Sequence, residues 1–328
     1  MRRKHLILMA VVAVVLCLAV FGGLVLAQHD RVGTSRAAPA PSASPGFAAY
    51  EYMVALSDGI GSRVAGSPQE VAAAGYVKDT LTDLGYAPSV QSFSAKVDGK
   101  TIHSQNVIAL KDTPSEDVVV IGAHYDSVKA GRGAFDNGSG IGLMLELAQE
   151  FTSIDTPYDL EFVAFGSEEV GKGADYFVSH LTADQKSHLR LMVNFDSVAA
   201  GDQLCAYSPG GAKKWPRMEF QQIARRLGLD VQTNPGLNKT YPYGTTGDWS
   251  DHVPFRKAGI PYLYIEATNW LIGDKDGYTN NAKYGEIWHS PKDTVAWIET
   301  VFPGRMMLQL SAADATFREF LTLALPTP

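Results

Sequence analysis

The apolar positions of this chain fall into two kinds of pattern. Short, nearly unbroken runs at Val118–Ala123, Leu160–Phe165, Leu191–Phe195 and Ile260–Glu266 read as strands buried on both faces. Ser89–Val97 and Ile102–Leu110 are strand-like as well. Helices are predicted at roughly 47–58, Gly140–Phe151, across Ala174–Arg190, at Lys214–Leu227 and at Phe302–Leu321. Another begins at Ser67-Pro68-Gln69-Glu70, a capping box with proline at the first helical position, and runs to about Leu84 before Gly85 stops it. Alternation of strands and helices predicts an α/β fold, with a mixed, mostly parallel central sheet and helices on both faces. Sheets of this kind carry their sites at the carboxyl ends of the strands.

The first 46 residues follow neither pattern. After the basic "MRRK" comes Leu6–Ala27, 22 residues without a charge, close to the length a helix needs to cross a bilayer. Basic residues before it predict a cytoplasmic N-terminus and an extracytoplasmic remainder. The segment reads as a signal-anchor helix, or as a signal peptide cleaved after Ala27. Residues 28–46, rich in Pro, Ala and Ser, read as a linker, and 47–328 as the folded domain. Membrane contact is expected through the N-terminal segment alone.

With 45% hydrophobic and 19% charged residues, the chain has material for a substantial core. Its formal charge is −7; removing residues 1–27 takes away Arg2, Arg3 and Lys4 and no acid, which leaves −10. Such a balance argues against nucleic acid or anionic lipid as a partner and leaves room for a cationic substrate. Of the two cysteines, Cys17 lies in the apolar segment, so Cys205 has no partner for a disulfide within the domain and reads as a small buried hydrophobe.

Three of the strands end in metal-type ligands. "VVVIGAH" ends at His124, "LEFVAFGSEE" at Glu168 and Glu169, and "RLMVNFD" at Asp196. Asp136 stands in the glycine-rich loop before the next helix, and "EIWHSPKDT" supplies His289. Singly, each has an ordinary explanation: Asp136 as a helix cap, the glutamates beside a helix dipole, the histidines as packing or surface residues. Four acids and two histidines on one rim of a sheet, however, leave negative charge that needs a cation. Zinc takes about four ligands, so the set suits two ions sharing a carboxylate. His124, Asp136 and Asp196 would hold one, and Asp136, Glu169 and His289 the other. Glu168 is left free as a base. Without a ligating cysteine, zinc is expected, with cobalt or manganese as substitutes.

The segments "AHYDS", "AFDNGSG", "FGSEEVGKGADYF", "VNFDSV" and "WHSPKDT" resemble, in order and spacing, the metal-binding segments of the M28 family of di-zinc aminopeptidases. "GSRVAGSPQEVAAAGYV" resembles that family's N-terminal helix region, so the similarity runs from about residue 47 to 320. The resemblance implies the same ligand set, Asp136 as the bridge, Glu168 as general base, Asp126 as the residue that holds the His124 ring, and a cis Asp136–Asn137 peptide. "TGDWSDHVPFRKAGIPYLYIEATNW" and "GDKDGY" are similar to an exported bacterial branch that trims N-terminal arginine. One departure is Trp288, where several members of the family carry a tyrosine before the histidine; an indole offers only its N–H, and no catalytic role is assigned to it.

The resemblance implies an exported metallo-aminopeptidase that acts on peptide or protein N-termini by two-metal, glutamate-assisted attack of water, with a possible preference for Arg or Lys. Glutaminyl cyclisation and carboxypeptidase action are the enzymatic alternatives on the same fold. A non-enzymatic binding ectodomain would predict damaged ligand positions, and this chain keeps all six. Asp251 and His252 are expected to shape the pocket or cap a helix. "YPYGTTGDW" (241–249) reads equally as a substrate-facing or a structural loop.

Overall fold

The structure is a computed structural model that describes residues 44–326. The apolar segment 6–27 and the linker up to residue 43 lie outside the described residues. Among the described residues, no helix is long and apolar enough to cross a membrane.

Seven strands form one sheet: β1 (Ser89–Val97), β2 (Lys100–Lys111), β3 (Val118–His124), β4 (Asp159–Phe165), β5 (Leu189–Phe195), β6 (Gln203–Tyr207) and β7 (Tyr262–Thr268). Their order is β1-β2-β4-β3-β5-β7-β6. The four central strands β4, β3, β5 and β7 run parallel, while β1, β2 and β6 are joined antiparallel at the edges. The parallel character expected from the sequence is therefore confined to the centre. The physical reason lies in the connections: β1 and β2 are joined by the short Asp98-Gly99 turn, which permits only an antiparallel pair.

The helices are α1 (Phe47–Val54), α2 (Pro68–Asp83), α3 (Ser139–Glu150), α4 (Gly173–His180), α5 (Ala183–His188), α6 (Trp215–Arg226), α7 (His252–Lys257), α8 (Val295–Val301) and α9 (Arg305–Phe320). Alternate residues of β3 enter different cores. Val119, Ile121 and Ala123 pack with residues of α1, α2, α3, α6 and α9, whereas Val120 packs with Ala174 and Phe177 of α4 and Phe255 of α7. Helices thus cover both faces, and the near-continuous apolar runs follow from that double burial. Strand β6 and helices α7 and α8 have no counterpart among the elements expected from the sequence. The helix expected over Phe302–Leu321 is α9, which starts three residues later, after Pro303-Gly304, where Gly304 has φ 74°.

The capping box at Ser67 is half made. Ser67 Oγ accepts from Glu70 N at 3.2 Å, but the Glu70 carboxylate turns inward, taking Gly66 N–H at 2.5 Å and the hydroxyls of Ser104 at 2.7 Å and Ser167 at 2.8 Å. It ties α2 to β2 and to the residue just before Glu168. A second acidic group, Glu146, Glu150 and Asp314, lies between α3 and α9. Arg318 pairs there with Glu150 and with Asp314, and Glu146 accepts the N–H groups of Ala48 and Ala49 at the start of α1. These partners are those of a structural clasp, with helix N-terminus and guanidinium compensating the acids.

Candidate active site

The expected site residues converge at the carboxyl ends of the parallel strands. His124 is the last residue of β3, Asp196 directly follows β5, and Glu168 and Glu169 follow β4 after Gly166-Ser167. Asp136 lies in the loop before α3, and His289 in the segment between β7 and α8. His124 Nε2 stands 3.3 Å from Asp136 Oδ1, 3.5 Å from Asp196 Oδ1 and 3.9 Å from Glu168 Oε2. On the other side, His289 Nε2 stands 3.1 Å from Asp136 Oδ2 and 2.9 Å from Glu169 Oε2. The two oxygens of Asp136 thus face two different histidines.

Spacing tests whether metal fits. Ligand bonds of 2.0–2.2 Å in a tetrahedron put neighbouring donor atoms about 3.4 Å apart. The distances around His124 match that edge, and those around His289 are a few tenths of an ångström shorter. Two N/O donor groups that share one carboxylate, without sulfur, suit zinc and its substitutes.

Electrostatics agrees with a cation-binding crevice. Burial pushes up the carboxyl pKa of Glu168, and it lifts Glu169 to about 7 with help from neighbouring Asp136. His289 is raised to about 10 by its hydrogen bonds with Asp136 and Glu169. For Asp136 burial opposes ionisation, but His124 and His289 outweigh it and hold the carboxyl below its usual range. Acids that resist ionisation beside histidines that resist deprotonation are short of positive charge.

Asp126 does more than orient a ring. Its carboxylate Oδ1 is 3.5 Å from His124 Nδ1, and its backbone oxygen is 3.2 Å from the same nitrogen. The carboxylate also accepts the backbone N–H groups of Glu168 at 2.9 Å and Glu169 at 3.2 Å. One buried acid therefore links the end of β3 to the two glutamates after β4. The Asp136–Asn137 peptide is cis, as the resemblance implied. Ser167 and Ser197, beside Glu168 and Asp196, and His289 itself have φ of 56°, 53° and 51°, a left-handed conformation that costs free energy in non-glycine residues.

Several residues that frame the site were not expected. Asp293 accepts Phe135 N–H at 2.6 Å and Asp136 N–H at 3.1 Å, so it holds the loop that presents Asp136. It lies within the quoted "WHSPKDT", the available signal for it. Asn137 donates to Phe195 O at 2.7 Å and accepts from Ser197 N at 3.2 Å, which joins the same loop to the end of β5. Arg63, fully buried, donates to the carbonyls of Tyr125, Gly61, Arg132 and Gly133.

A cavity of about 480 Å³ opens over the cluster. Its walls include Asp248, Trp249, Ser250, Asp251, Tyr278, Glu286 and Trp288. The 241–249 loop therefore does both things weighed for it: its end faces the cavity, and Tyr241 packs on Trp249 and Trp270. Trp288 donates its indole N–H to Tyr278 O at 3.1 Å, so that hydrogen is engaged in the wall. His103 and His180 are exposed and His188 is half-buried, away from the cluster's contacts.

Residues 106–313 match the model of peptidase family M28. The chain belongs to peptidase family M28. The alkaline phosphatase isozyme conversion protein of Escherichia coli K12 is 33% identical over 301 residues, 81% of this chain and 87% of that protein. Aminopeptidase YwaD of Bacillus subtilis is 31% identical over 204 residues, 60% of this chain but only 40% of the relative. Among solved structures, a zinc aminopeptidase from Bacillus subtilis shares the fold with a TM-score of 0.70 at 19% identity, covering 88% of this peptidase and 97% of that chain. Porphyromonas gingivalis glutaminyl cyclase shares it with a TM-score of 0.67 at 22% identity, covering 85% and 98%. Membership of the family supports the expected enzyme class, a metallo-exopeptidase of the aminopeptidase type.

Proposed function

We propose that this M28 peptidase is an exported, zinc-dependent aminopeptidase that removes the first residue of peptides or proteins, with two ions in the cluster. The observation that carries the reading is the split of Asp136 between His124 and His289, which supports a carboxylate shared by two ions. His124, Asp136 and Asp196 would hold one, and Asp136, Glu169 and His289 the other. When bound, the ions supply Lewis acidity to the scissile carbonyl and to the attacking water. Glu168, its backbone N–H fixed by Asp126 and its carboxylate 3.9 Å from His124, takes the water's proton and delivers it to the leaving amine. Asp126 and Asp293 keep the two loops in register.

A preference for N-terminal Arg or Lys belongs to the same proposal. Eight carboxylates line the cavity, Asp136, Glu168, Glu169, Asp175, Asp196, Asp248, Asp251 and Glu286, against Lys172 and Lys257. Even after two divalent ions, such a wall favours a cationic side chain. Export would rest on residues 6–27 as anchor or signal, testable by protease accessibility on intact cells.

The deciding experiment is a panel of fluorogenic aminoacyl substrates and an N-terminal glutamine peptide, assayed on zinc-loaded and chelated protein. Zinc-dependent release of the fluorophore, fastest for Arg or Lys, supports the reading. Cyclisation of the glutamine peptide without aminoacyl cleavage would replace it by the cyclase alternative.

A further inference from the structure

Among the carboxylates that line the cavity, Asp251 stands apart within the described residues. It is 3% exposed, and its Oδ2 is buried without a hydrogen-bond donor. It precedes α7 in the position of a cap, yet its side chain makes no capping bond. The preceding residue fixes where it sits: Ser250 Oγ donates to Asp196 Oδ2 at 2.7 Å and accepts from Asn194 Nδ2 at 2.8 Å. Asp251 is therefore anchored one residue from a side chain bonded directly to an expected metal ligand. A buried carboxylate oxygen lacking a donor is costly, and on the wall of an open cavity an incoming ligand is in a position to supply one.

The substrate of an aminopeptidase brings such a donor to a definite place. Its α-nitrogen is two bonds from the carbonyl carbon that is attacked, roughly 2.5 Å away, whereas a lysine or arginine head group lies several bonds further off. The group that recognises a free N-terminus must therefore adjoin the catalytic cluster, as Asp251 does beside Asp196. An α-ammonium offers three N–H donors and a positive charge, which completes the unmet valence of this carboxylate.

Resting on the aminopeptidase reading, we propose that Asp251 receives the α-ammonium group of the substrate and is the residue that makes the site selective for free N-termini. Asp251 is neither an expected metal ligand nor the expected base, and it reaches Glu168 only through its charge, so its loss acts first on recognition.

The test uses the zinc-loaded enzyme and its Asp251→Asn variant, with arginine and leucine p-nitroanilides and their α-N-acetyl and desamino analogues. The variant is expected to keep its zinc content by elemental analysis and to raise KM at least tenfold for the free-amine substrates. Its discrimination against the desamino analogue should collapse, with kcat changed far less. An unchanged KM with wild-type discrimination would overturn the proposal alone. Failure of the wild-type zinc enzyme to cleave any of the substrates would instead overturn the peptidase reading and this proposal with it. Should Asp251→Asn not fold, Asp251→Ser, which puts a smaller polar side chain there, takes its place. If neither folds, Asp251 is a structural residue and the assignment fails.

Discussion

Replacing Arg63 by methionine keeps the length and much of the apolar bulk of the side chain but deletes every donor of the guanidinium. Arg63 is 0% exposed and makes four side-chain hydrogen bonds, at 2.6 Å to Tyr125 O, 3.0 Å to Gly61 O, 2.8 Å to Arg132 O and 2.8 Å to Gly133 O. Tyr125 follows His124, and Gly133 precedes the Asp136 turn, so one side chain spans both ligand-bearing loops. At about 1 kcal/mol net for each bond, the substitution should lower stability by about 4 kcal/mol. Such a loss is a large part of the roughly 5–15 kcal/mol that holds a typical domain. Removing the arginine also removes its desolvation cost, but with it goes the positive field on Asp293, Asp126, Asp136 and Glu169. Bound zinc would supply that field instead, so the loss should be larger in chelator than in zinc. Urea unfolding followed by tryptophan fluorescence, with and without zinc, measures both values. A loss under about 1 kcal/mol in chelator would refute the view that Arg63 holds the loops.

Three further outcomes are expected. Glu168→Gln should retain bound zinc by elemental analysis and lose about 10²- to 10⁴-fold in kcat, the usual share of a general base; near-normal turnover would remove Glu168 from that role. Gly142→Ala places a Cβ 2.2 Å from Ala49 O, where α3 meets α1, so the melting temperature should drop by an amount matching about 1–3 kcal/mol in calorimetry. Cys205 is fully buried and burial pushes its thiol up to about 12, so at pH 8 Cys205 of the native protein should resist iodoacetamide and react only after unfolding, as mass spectrometry of its peptide would register.

The strands that carry the site were legible because each is a short apolar run with one or two expected site residues at or just after its end: Val118–His124, Asp159–Phe165 and Leu189–Phe195 lie within a residue or two of the expected segments. Strand β6 was not, since "QLCAY" is five residues long and takes its place by pairing with β7 more than fifty residues later. Helices α7 and α8, of six and seven residues, are too short for a periodic signal. The same limit applies to the framing residues. Nothing local marks Asp293 as the acceptor for the backbone of Phe135 and Asp136, which are 158 and 157 residues away. Arg63 looks like a surface arginine until the loops it joins are folded together. Glu70 was read as a capping residue from its position, and one part of that was right: Ser67 does cap Glu70 N, but the glutamate's own side chain serves the core.

Diffraction from crystals of the zinc-loaded protein, with anomalous data at the zinc edge, tests the two-ion centre most directly. Two zinc ions about 3.5–4 Å apart, with the carboxylate of Asp136 between them, are the predicted result. A single ion, or an Asp136 bound to only one of two, would contradict it.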